Sequence, residues 1–343
     1  MKQVRLGRTN LVVGRMGFGC IPIQRVSFDE STTLLRKAYE NGVTFFDTAN
    51  GYTTSEERIG LALSDVRKNI VLATKSAPLP PDRLMANIEN SLKMMKTDYI
   101  DIFQLHNPGK IHRPGGEDGV YDTLLKAKKD GKIRFICLSN HSAEVAAGAV
   151  ESGLFDTLQY PLCSLSTEEE LALIDLCKEH DVGVIAMKAM AGGLLSDASA
   201  AFAFLAGYDN VVPIWGIQHM WELDEFLELE KNPPELTDEL RAAIDSDKNS
   251  LGGSFCRACG YCMPCPEGIQ INTAARITMM IRRMPSENFL SAEWKANMDK
   301  INNCRECGQC REKCPYHLNP PEILRRQLKE YNELYEKVIP ILE

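Results

Sequence analysis

The chain has 343 residues, of which 44% are hydrophobic and 25% charged, as expected for a globular protein rather than a disordered or fibrous one. Its formal net charge is −8 and it has no basic run, which argues against nucleic-acid binding. It has no apolar stretch of about 18 residues, and its start lacks the apolar core of a secretory signal. We therefore expect a cytoplasmic protein without membrane contacts. The unusual feature is its 12 cysteines, many of which lie between Cys256 and Cys314.

Strand-like apolar segments alternate with helix-forming segments through the first two thirds of the chain. Strands are predicted over residues 15–19, 44–47, 70–74, 100–104, 134–138, 157–159, 183–187 and 211–215. Helices are predicted over residues 29–40, 55–64, 81–95, 120–129, 142–151, 167–179, 198–205 and 220–229. Asn41-Gly42 predicts the end of the first helix, and Thr54 with Glu57 predicts a capping box at the second.

Eight consecutive strand–helix units predict an α/β fold, a (β/α)8 TIM barrel. Residues 2–13, with Gly7 in their middle, precede the first unit, and we expect them to form a hairpin that closes the barrel floor. The structural alternative is a doubly wound sheet. It is disfavoured because no Gly-x-Gly-x-x-Gly turn leads from a strand into a helix.

Four chemically active side chains follow the ends of three neighbouring predicted strands. Asp47 and Tyr52 follow the second strand, Lys75 the third and His106 the fourth. Taken alone, each has an ordinary explanation: a loop aromatic, a solvated strand end or a buried core histidine. Because the active sites of barrels lie at the carboxyl ends of the strands, the four together predict a catalytic site there.

These motifs resemble those of the aldo-keto reductase family. The matching segments are Phe-Asp-Thr-Ala at 46–49 with Tyr52, Ala-Thr-Lys at 73–75, Leu-His-Asn-Pro at 105–108, Ser-Asn-His at 139–141, and Gln159. They occur in the family's order and the resemblance covers residues 2–235. It implies an oxidoreductase that reduces a small-molecule carbonyl substrate, an aldehyde or ketone, with NAD(P)H.

The resemblance also implies a role for each catalytic residue. Tyr52 would donate a proton to the developing alkoxide. Lys75 would lower the pKa of Tyr52, and Asp47 would hold Lys75 ionised and oriented. His106 would donate a hydrogen bond to the carbonyl oxygen of the substrate.

The family binds its dinucleotide across the barrel mouth. By resemblance Ser139, Asn140 and Gln159 hold the carboxamide, although Ser139-Asn140 can equally be a turn that precedes a helix N-cap. The turn that contains Gly216 and Gln218 would approach the pyrophosphate, and Glu222 the adenine. The chain departs from the family in two ways: Met187 stands where a ring-stacking aromatic is usual, and residues 218–220 lack a Lys or Arg for a 2′-phosphate. NADP and NAD therefore both remain open.

Two runs of cysteines lie in the last quarter of the chain. The first comprises Cys256, Cys259, Cys262 and Cys265, and the second Cys304, Cys307, Cys310 and Cys314. The second run matches the bacterial ferredoxin pattern, in which the last cysteine binds the other cluster. Zinc usually takes separated pairs, and disulfides are typical of small secreted chains, so both are disfavoured. The runs predict two 4Fe-4S clusters.

Residues 266–303 between the runs have helix-forming composition over 274–284 and 290–300. This resembles the α-helical type of two-cluster ferredoxin, in which three cysteines of one run join the last cysteine of the other. By that resemblance Cys256, Cys259, Cys262 and Cys314 hold one cluster, and Cys265, Cys304, Cys307 and Cys310 hold the second. Cys265 departs from the pattern because it lies one residue closer to its run than usual.

The expected domain organisation is a barrel over residues 1–235, a linker over 236–251, a 4Fe-4S ferredoxin-like domain over 252–320 and a C-terminal helix over 321–343. The main functional hypothesis is a carbonyl reductase with the two clusters as an electron relay to a redox partner protein. The alternatives are an electron-transfer protein whose barrel docks a partner or another redox cofactor, and clusters that only brace the C-terminus. A hydride carries two electrons whereas a cluster passes one, so direct coupling would need a flavin or a radical-tolerant substrate.

Overall fold

The computed structural model describes residues 1–192, 195, 197–251, 255–257, 260–283, 289–314 and 316–342. The chain divides into two compact units, Met1–Ile244 and Asp245–Glu343. In the part of the chain that is described, no helix has both the length and the apolar character to cross a membrane.

The first unit is a closed barrel of eight parallel strands, preceded by a short antiparallel pair. The order around the barrel is β10-β3-β4-β5-β6-β7-β8-β9, so each strand pairs with its neighbour in the chain. The strands are β1 (Gln3–Arg5), β2 (Val12–Gly14), β3 (Gly17–Gly19), β4 (Phe45–Asp47), β5 (Val71–Ser76), β6 (Ile100–His106), β7 (Ile133–Ser139), β8 (Thr157–Pro161), β9 (Gly183–Met187) and β10 (Val211–Gly216). The TIM-barrel prediction is confirmed.

A helix follows each barrel strand and covers its outer face. These helices are α1 (Phe28–Glu40), α2 (Ser55–Leu63), α3 (Pro81–Met94), α4 (Val120–Lys129), α5 (Ala143–Glu151), α6 (Glu168–Glu179), α7 (Ala198–Ala206) and α8 (Met220–Lys231). A separate helix, α9 (Asp238–Leu251), occupies most of the segment that we expected to be a linker. Gly42 closes α1 with a φ of 92°, a left-handed conformation that glycine adopts without strain.

The capping box predicted at Thr54 is wrong. Thr54 makes no side-chain cap to α2, and its hydroxyl accepts a hydrogen bond from Arg58 Nε at 2.9 Å. Capping boxes form where the preceding residue is extended, at Ser27 with Glu30 before α1 and at Thr167 with Glu170 before α6. The threonine-to-glutamate spacing alone did not reveal that the backbone of Thr54 is not extended.

The interior of the barrel is apolar towards its floor. Along β4, Phe45 belongs to this inner cluster, whereas Phe46 belongs to the outer cluster under the helices. The same alternation holds along β5 and β6, because successive strand residues point to opposite faces. Asp47, Lys75 and His106 therefore share the inward face of their strands.

The hairpin of β1 and β2 lies at the amino-terminal end of the barrel strands, as predicted. Gly7 bridges to Val182, the residue before β9. A Cβ atom on Gly7 would lie 2.3 Å from the backbone nitrogen of Gly183, so this close approach requires glycine. Leu6 and Val4 complete the apolar cluster that fills the barrel from below.

The second unit contains short helices followed by a long one. They are α10 (Ile271–Ala274), α11 (Ile277–Arg283), α12 (Ala292–Asp299), α13 (Gln309–Glu312) and α14 (Pro320–Leu342). Its apolar core joins Ile269, Ile277, Met298 and Leu324, and several cysteines pack at its edge. The phenol of Tyr331 in α14 is buried in this core and donates a hydrogen bond to Phe289 O at 2.8 Å.

Candidate functional site

The predicted catalytic residues lie together at the carboxyl ends of adjacent strands. Asp47 ends β4 and pairs in register with Ala73 of β5, two residues before Lys75. Lys75 pairs with Gln104 of β6, and His106 ends that strand. The parallel register thus brings one acidic, one basic and one imidazole side chain to the same inward rim of the barrel.

A buried ion pair is at the centre of this site. Lys75 Nζ lies 2.6 Å from Asp47 Oδ2, and the two side chains are 1% and 4% exposed. The ammonium also donates to Thr48 O at 2.6 Å. Asp47 in turn accepts from Gln104 Nε2 at 3.1 Å and from Gln159 Nε2 at 3.3 Å. These bonds satisfy the buried charges, as an ion pair inside a protein requires.

Tyr52 and His106 adjoin the ion pair at the barrel mouth. The tyrosine ring lies 5.3 Å from Lys75 Nζ and meets the His106 ring edge-on, with centroids 6.0 Å apart. Tyr52 is held in a turn, because its amide donates to Ala49 O at 2.9 Å and its carbonyl accepts from the Ser55 amide at 2.8 Å. Both rings are partly exposed, so they form the accessible side of the site.

Burial and charge set the protonation of these groups. Burial is the largest single effect on Lys75 and lowers its pKa, but the interactions with Asp47, Tyr52 and Cys20 together outweigh it, so the pKa lies above its usual value. Burial raises the pKa of Tyr52, and the opposing charge of Lys75 only partly offsets this rise. Lys75 therefore does lower the pKa of Tyr52, as expected, but the net pKa shift of Tyr52 is upward because burial has the larger effect. A raised pKa keeps the phenol protonated, as a proton donor needs.

His106 is held in its neutral form. Burial first, and then the positive charges of Lys75 and Lys188, lower its pKa from 6.5 to about 4. A neutral imidazole carries one N–H donor and one acceptor nitrogen. At neutral pH His106 can therefore donate a hydrogen bond without adding a second cation beside Lys75.

The residues expected to bind the dinucleotide lie on the same rim, but they differ in whether their side-chain atoms already have hydrogen-bond partners within the protein. Ser139 pairs in register with Gln159, Met187 ends β9 and Gly216 ends β10. The Oε1 atom of Gln159 is buried and has no hydrogen-bond partner among the described residues. An unpartnered acceptor at this place fits the amide N–H of a nicotinamide.

Two other candidates, Asn140 and Glu222, already have side-chain partners within the protein. Asn140 donates to Pro108 O at 2.8 Å, and its Oδ1 accepts from the amides of His141 and Ser142 at 2.8 Å each. Ser142 then caps α5, so the turn interpretation of this segment describes the contacts seen. Glu222 Oε2 accepts from the amides of Gln218 and His219 at 2.7 and 2.9 Å and caps α8.

Sequence analysis did not find two residues of the rim. Gln104 holds Asp47, and its two-residue spacing from His106 on one strand would have placed it on the same face. Arg25 follows β3 and donates to Gln218 Oε1 at 3.2 Å. No local pattern joins Arg25 to Gln218, because 193 residues separate them.

The cysteines of the second unit surround two cavities. The first cluster cavity, of about 20 Å³, is lined by Cys256, Cys262 and Cys314. The second cluster cavity, of about 280 Å³, is lined by Cys265, Cys304, Cys307 and Cys310, and Cys262 also borders it. The last cysteine of each run thus lies with the other run, which is the crossed grouping that the ferredoxin resemblance implies. Cys259 lies outside the described residues.

The arrangement of the thiols also bears on the kind of metal site. Among the described residues, no three His, Cys, Asp or Glu side chains are arranged to hold a single metal ion. The thiols instead border cavities, and the second cluster cavity brings four of them around one space. Four cysteines around a space fit a 4Fe-4S cluster. The remaining cysteines, Cys20, Cys137, Cys163 and Cys177, are buried in the barrel unit.

Comparison with known proteins agrees with both parts. The chain is 29% identical over 216 residues to the uncharacterized oxidoreductase YqkF of Bacillus subtilis (strain 168), which is 57% of this chain and 67% of that protein. It is 30% identical over 213 residues to the L-galactose dehydrogenase of Arabidopsis thaliana, which is 56% of this chain and 66% of that protein.

A solved aldo-keto reductase from Klebsiella pneumoniae in complex with NADPH has the same fold, with a TM-score of 0.62 at 24% identity over 71% of this chain and 94% of that one. Residues 10–203, more than half of the chain, match the aldo/keto reductase family, and residues 255–319 match the 4Fe-4S dicluster domain. The chain therefore belongs to the aldo/keto reductase family and carries a 4Fe-4S dicluster domain after its barrel.

Proposed function

We propose that the barrel reduces an aldehyde or ketone with a nicotinamide dinucleotide through Asp47, Tyr52, Lys75 and His106. The observation that carries this proposal is the buried Lys75–Asp47 pair, 2.6 Å apart, beside the partly exposed Tyr52 and His106 rings. The proton donor Tyr52 and the hydrogen-bond donor His106 are both partly exposed at the barrel mouth.

Each residue of the proposed catalytic site has its own role in carbonyl reduction. The neutral His106 donates a hydrogen bond to the carbonyl oxygen and orients the substrate. Tyr52 gives its proton to that oxygen as negative charge develops there, and Lys75 stabilises the resulting phenolate. Asp47 holds the ammonium in place, and Gln104 and Gln159 hold Asp47. A bound nicotinamide supplies the hydride.

The dinucleotide would be held by Ser139, Gln159, Met187 and the turn from Gly216 to Gln218. The buried Oε1 of Gln159, without a partner in the described part of the chain, supports a carboxamide contact. Asn140 and Glu222 would act through the backbone turns that they hold rather than through free side-chain atoms. NADPH is the nucleotide bound by the Klebsiella pneumoniae fold neighbour, and both NADPH and NADH should be tried here.

The second unit would hold two 4Fe-4S clusters and act as an electron relay to a redox partner protein. Cys256, Cys259, Cys262 and Cys314 would bind one cluster, and Cys265, Cys304, Cys307 and Cys310 the other. The crossed lining of the two cavities supports this grouping. A 4Fe-4S cluster supplies one-electron transfer when bound.

Replacing Tyr52 with Phe tests the reductase proposal. The change removes the proton donor but leaves the ring and the Lys75–Asp47 pair, so carbonyl reduction should fall by about 10²- to 10⁴-fold. Nucleotide affinity should stay within about twofold of the wild-type value, because the proposed role of the phenol is to donate a proton to the substrate and not to bind the nucleotide. The measurement is nucleotide oxidation by a panel of aldehydes and ketones, together with a fluorescence titration of nucleotide binding.

The control is Tyr39→Phe, a partly buried tyrosine of α1 that lies away from the mouth and should leave turnover unchanged. A Tyr52→Phe enzyme that kept most of its turnover would refute the proposed proton donor. A wild-type protein that bound neither nucleotide would refute the reductase function itself.

A further inference from the structure

The turn after the last barrel strand is a common place for phosphate binding in (β/α)8 barrels. Such sites frequently lie in the loops after the seventh and eighth strands, beside the amino terminus of a helix. In this protein the eighth barrel strand is β10, which ends at Gly216, and Gln218 and His219 follow before α8 begins at Met220. A phosphate group at this turn would need backbone N–H groups, cationic side chains or both.

Two backbone amides of this turn already have an anionic partner from the same chain. Glu222 Oε2 accepts a hydrogen bond from Gln218 N at 2.7 Å and another from His219 N at 2.9 Å. A glutamate at the third position of a helix commonly reaches back in this way, and its charge is favourable beside the helix amino terminus. The carboxylate therefore occupies donors that a phosphate at the turn would otherwise use.

The charge of the segment that contains the turn is negative. Residues 216–230 include five acidic residues and no Lys or Arg. One of these acids, Asp224, has a counter-ion on α1, because Lys37 Nζ lies 2.5 Å from its Oδ1. Glu222 takes part in none of the ion pairs between described residues, so backbone amides rather than a cation stabilise its charge.

One cation does approach the turn from another element. Arg25 follows β3 and donates to Gln218 Oε1 at 3.2 Å. A phosphate at the turn would gain the attraction of this partly exposed guanidinium, but it would have to displace the Glu222 carboxylate from two backbone donors or lie beside it. Losing hydrogen bonds to a charged group costs more than an exposed ion pair returns. The balance at the turn is therefore against a phosphate.

We propose that Glu222 makes the dinucleotide site selective for NADH over NADPH. The inference rests on the proposed function, in which this turn and Glu222 meet the adenosine end of the nucleotide. NADPH differs from NADH by a phosphate on the adenosine ribose, which carries up to about two negative charges. That phosphate is repelled by Glu222 and finds two amides of the turn occupied, whereas a 2′-hydroxyl meets neither obstacle. In dinucleotide-binding folds of another type, an acidic residue beside this ribose likewise accompanies NAD.

Isothermal titration calorimetry of the full-length protein, purified anaerobically, tests the inference without a carbonyl substrate. The titrants are NADH and NADPH, and ADP-ribose with 2′-phospho-ADP-ribose serves as a second pair that lacks the nicotinamide. In the wild type we expect the Kd for NADPH to exceed that for NADH by at least about tenfold, and the fragments to follow the same order. The ratio should shrink as the ionic strength rises, because the repulsion acts between partly exposed charges.

Two matched variants attribute the preference to Glu222. Glu222→Gln keeps an oxygen that can accept from the two backbone amides but removes the negative charge, so the ratio of the two Kd values should move towards NADPH by about tenfold. Asp224→Asn removes a carboxylate two residues away on the same helix. Because Lys37 already pairs with that carboxylate, the ratio should stay within about threefold of the wild-type value.

The outcomes separate this inference from the function on which it rests. A wild-type protein that binds neither nucleotide would refute the proposed function and the inference together. Binding of NADPH as tightly as NADH, or more tightly, would overturn the inference alone and would point to Arg25 as the partner of the phosphate. An unchanged ratio in Glu222→Gln, or an equal shift in Asp224→Asn, would overturn the role of Glu222. The wild-type ratio decides the matter even if Glu222→Gln fails to fold.

Discussion

The Lys75–Asp47 pair gives the strongest test of the barrel site that does not require a known substrate. Lys75→Met removes the ammonium and leaves the Asp47 carboxylate buried, with the amides of Gln104 and Gln159 as its remaining side-chain donors in the described part of the chain. Removing one partner of a buried ion pair costs about 3–5 kcal/mol, because the other charge remains without compensation. For a unit of this size, that corresponds to a fall in melting temperature of roughly 6–20 °C.

A double variant isolates the interaction between the two charges. Asp47→Asn alone should also destabilise the barrel, because it leaves the Lys75 ammonium with Thr48 O as its remaining partner. Lys75→Met combined with Asp47→Asn leaves no buried charge at this place. The double variant should therefore lose at least about 1 kcal/mol less than the sum of the two single losses.

The sign of the pH dependence follows from the same pair. Burial raises the pKa of Asp47, and Lys75 is the main group that opposes this rise. In Lys75→Met the folded protein should therefore bind a proton at Asp47 more readily than the unfolded chain does. Its stability should rise as the pH falls towards 5, relative to the wild type.

Thermal unfolding under anaerobic conditions, followed by near-ultraviolet circular dichroism, measures these effects. Trp215 is fully buried and stacks on Phe202 with ring centroids 4.0 Å apart, so it reports on the barrel unit. Strictly additive losses in the double variant, or a Lys75→Met protein as stable as the wild type at pH 7.5, would refute the reasoning.

Three further predictions concern the other groups. His106, with its pKa lowered to about 4, should stay neutral in ¹³C-histidine NMR spectra from pH 7 to 5. Because this pKa lies below that of a histidine in the unfolded chain, the folded state should lose stability as the pH falls from 6.5 towards 4. A titration midpoint of His106 above pH 6 would contradict both expectations. Gln159→Ala should weaken nicotinamide-nucleotide binding about tenfold, whereas Gln104→Ala, which removes a similar amide from Asp47, should not; equal effects would assign Gln159 to holding Asp47 alone. Anaerobically purified protein should carry about eight irons, and exposure to oxygen should bleach its visible absorbance and destabilise the second unit; a colourless protein that contains zinc would exclude the clusters.

The sequence by itself determined the architecture of the barrel. Strand-like apolar segments and helix-forming segments alternate along the barrel part of the chain, and the strands lie within two residues of their predicted bounds, as at Gly183–Met187. Order along the chain is also order around the barrel, because each parallel strand pairs with the next one. The position of Asp47, Lys75 and His106 at one rim follows from that rule alone.

Only the tertiary structure decided how the rim side chains are used. The side-chain amide of Asn140 donates to Pro108 O and accepts from the backbone amide of Ser142. Arg25 donates to Gln218, which lies 193 residues later in the chain. The upward shift of the Tyr52 pKa likewise depends on burial, which a sequence does not state. Local spacing encodes which face a residue occupies, but hydrogen-bond partners and desolvation depend on residues that are distant in the chain and meet only when it folds.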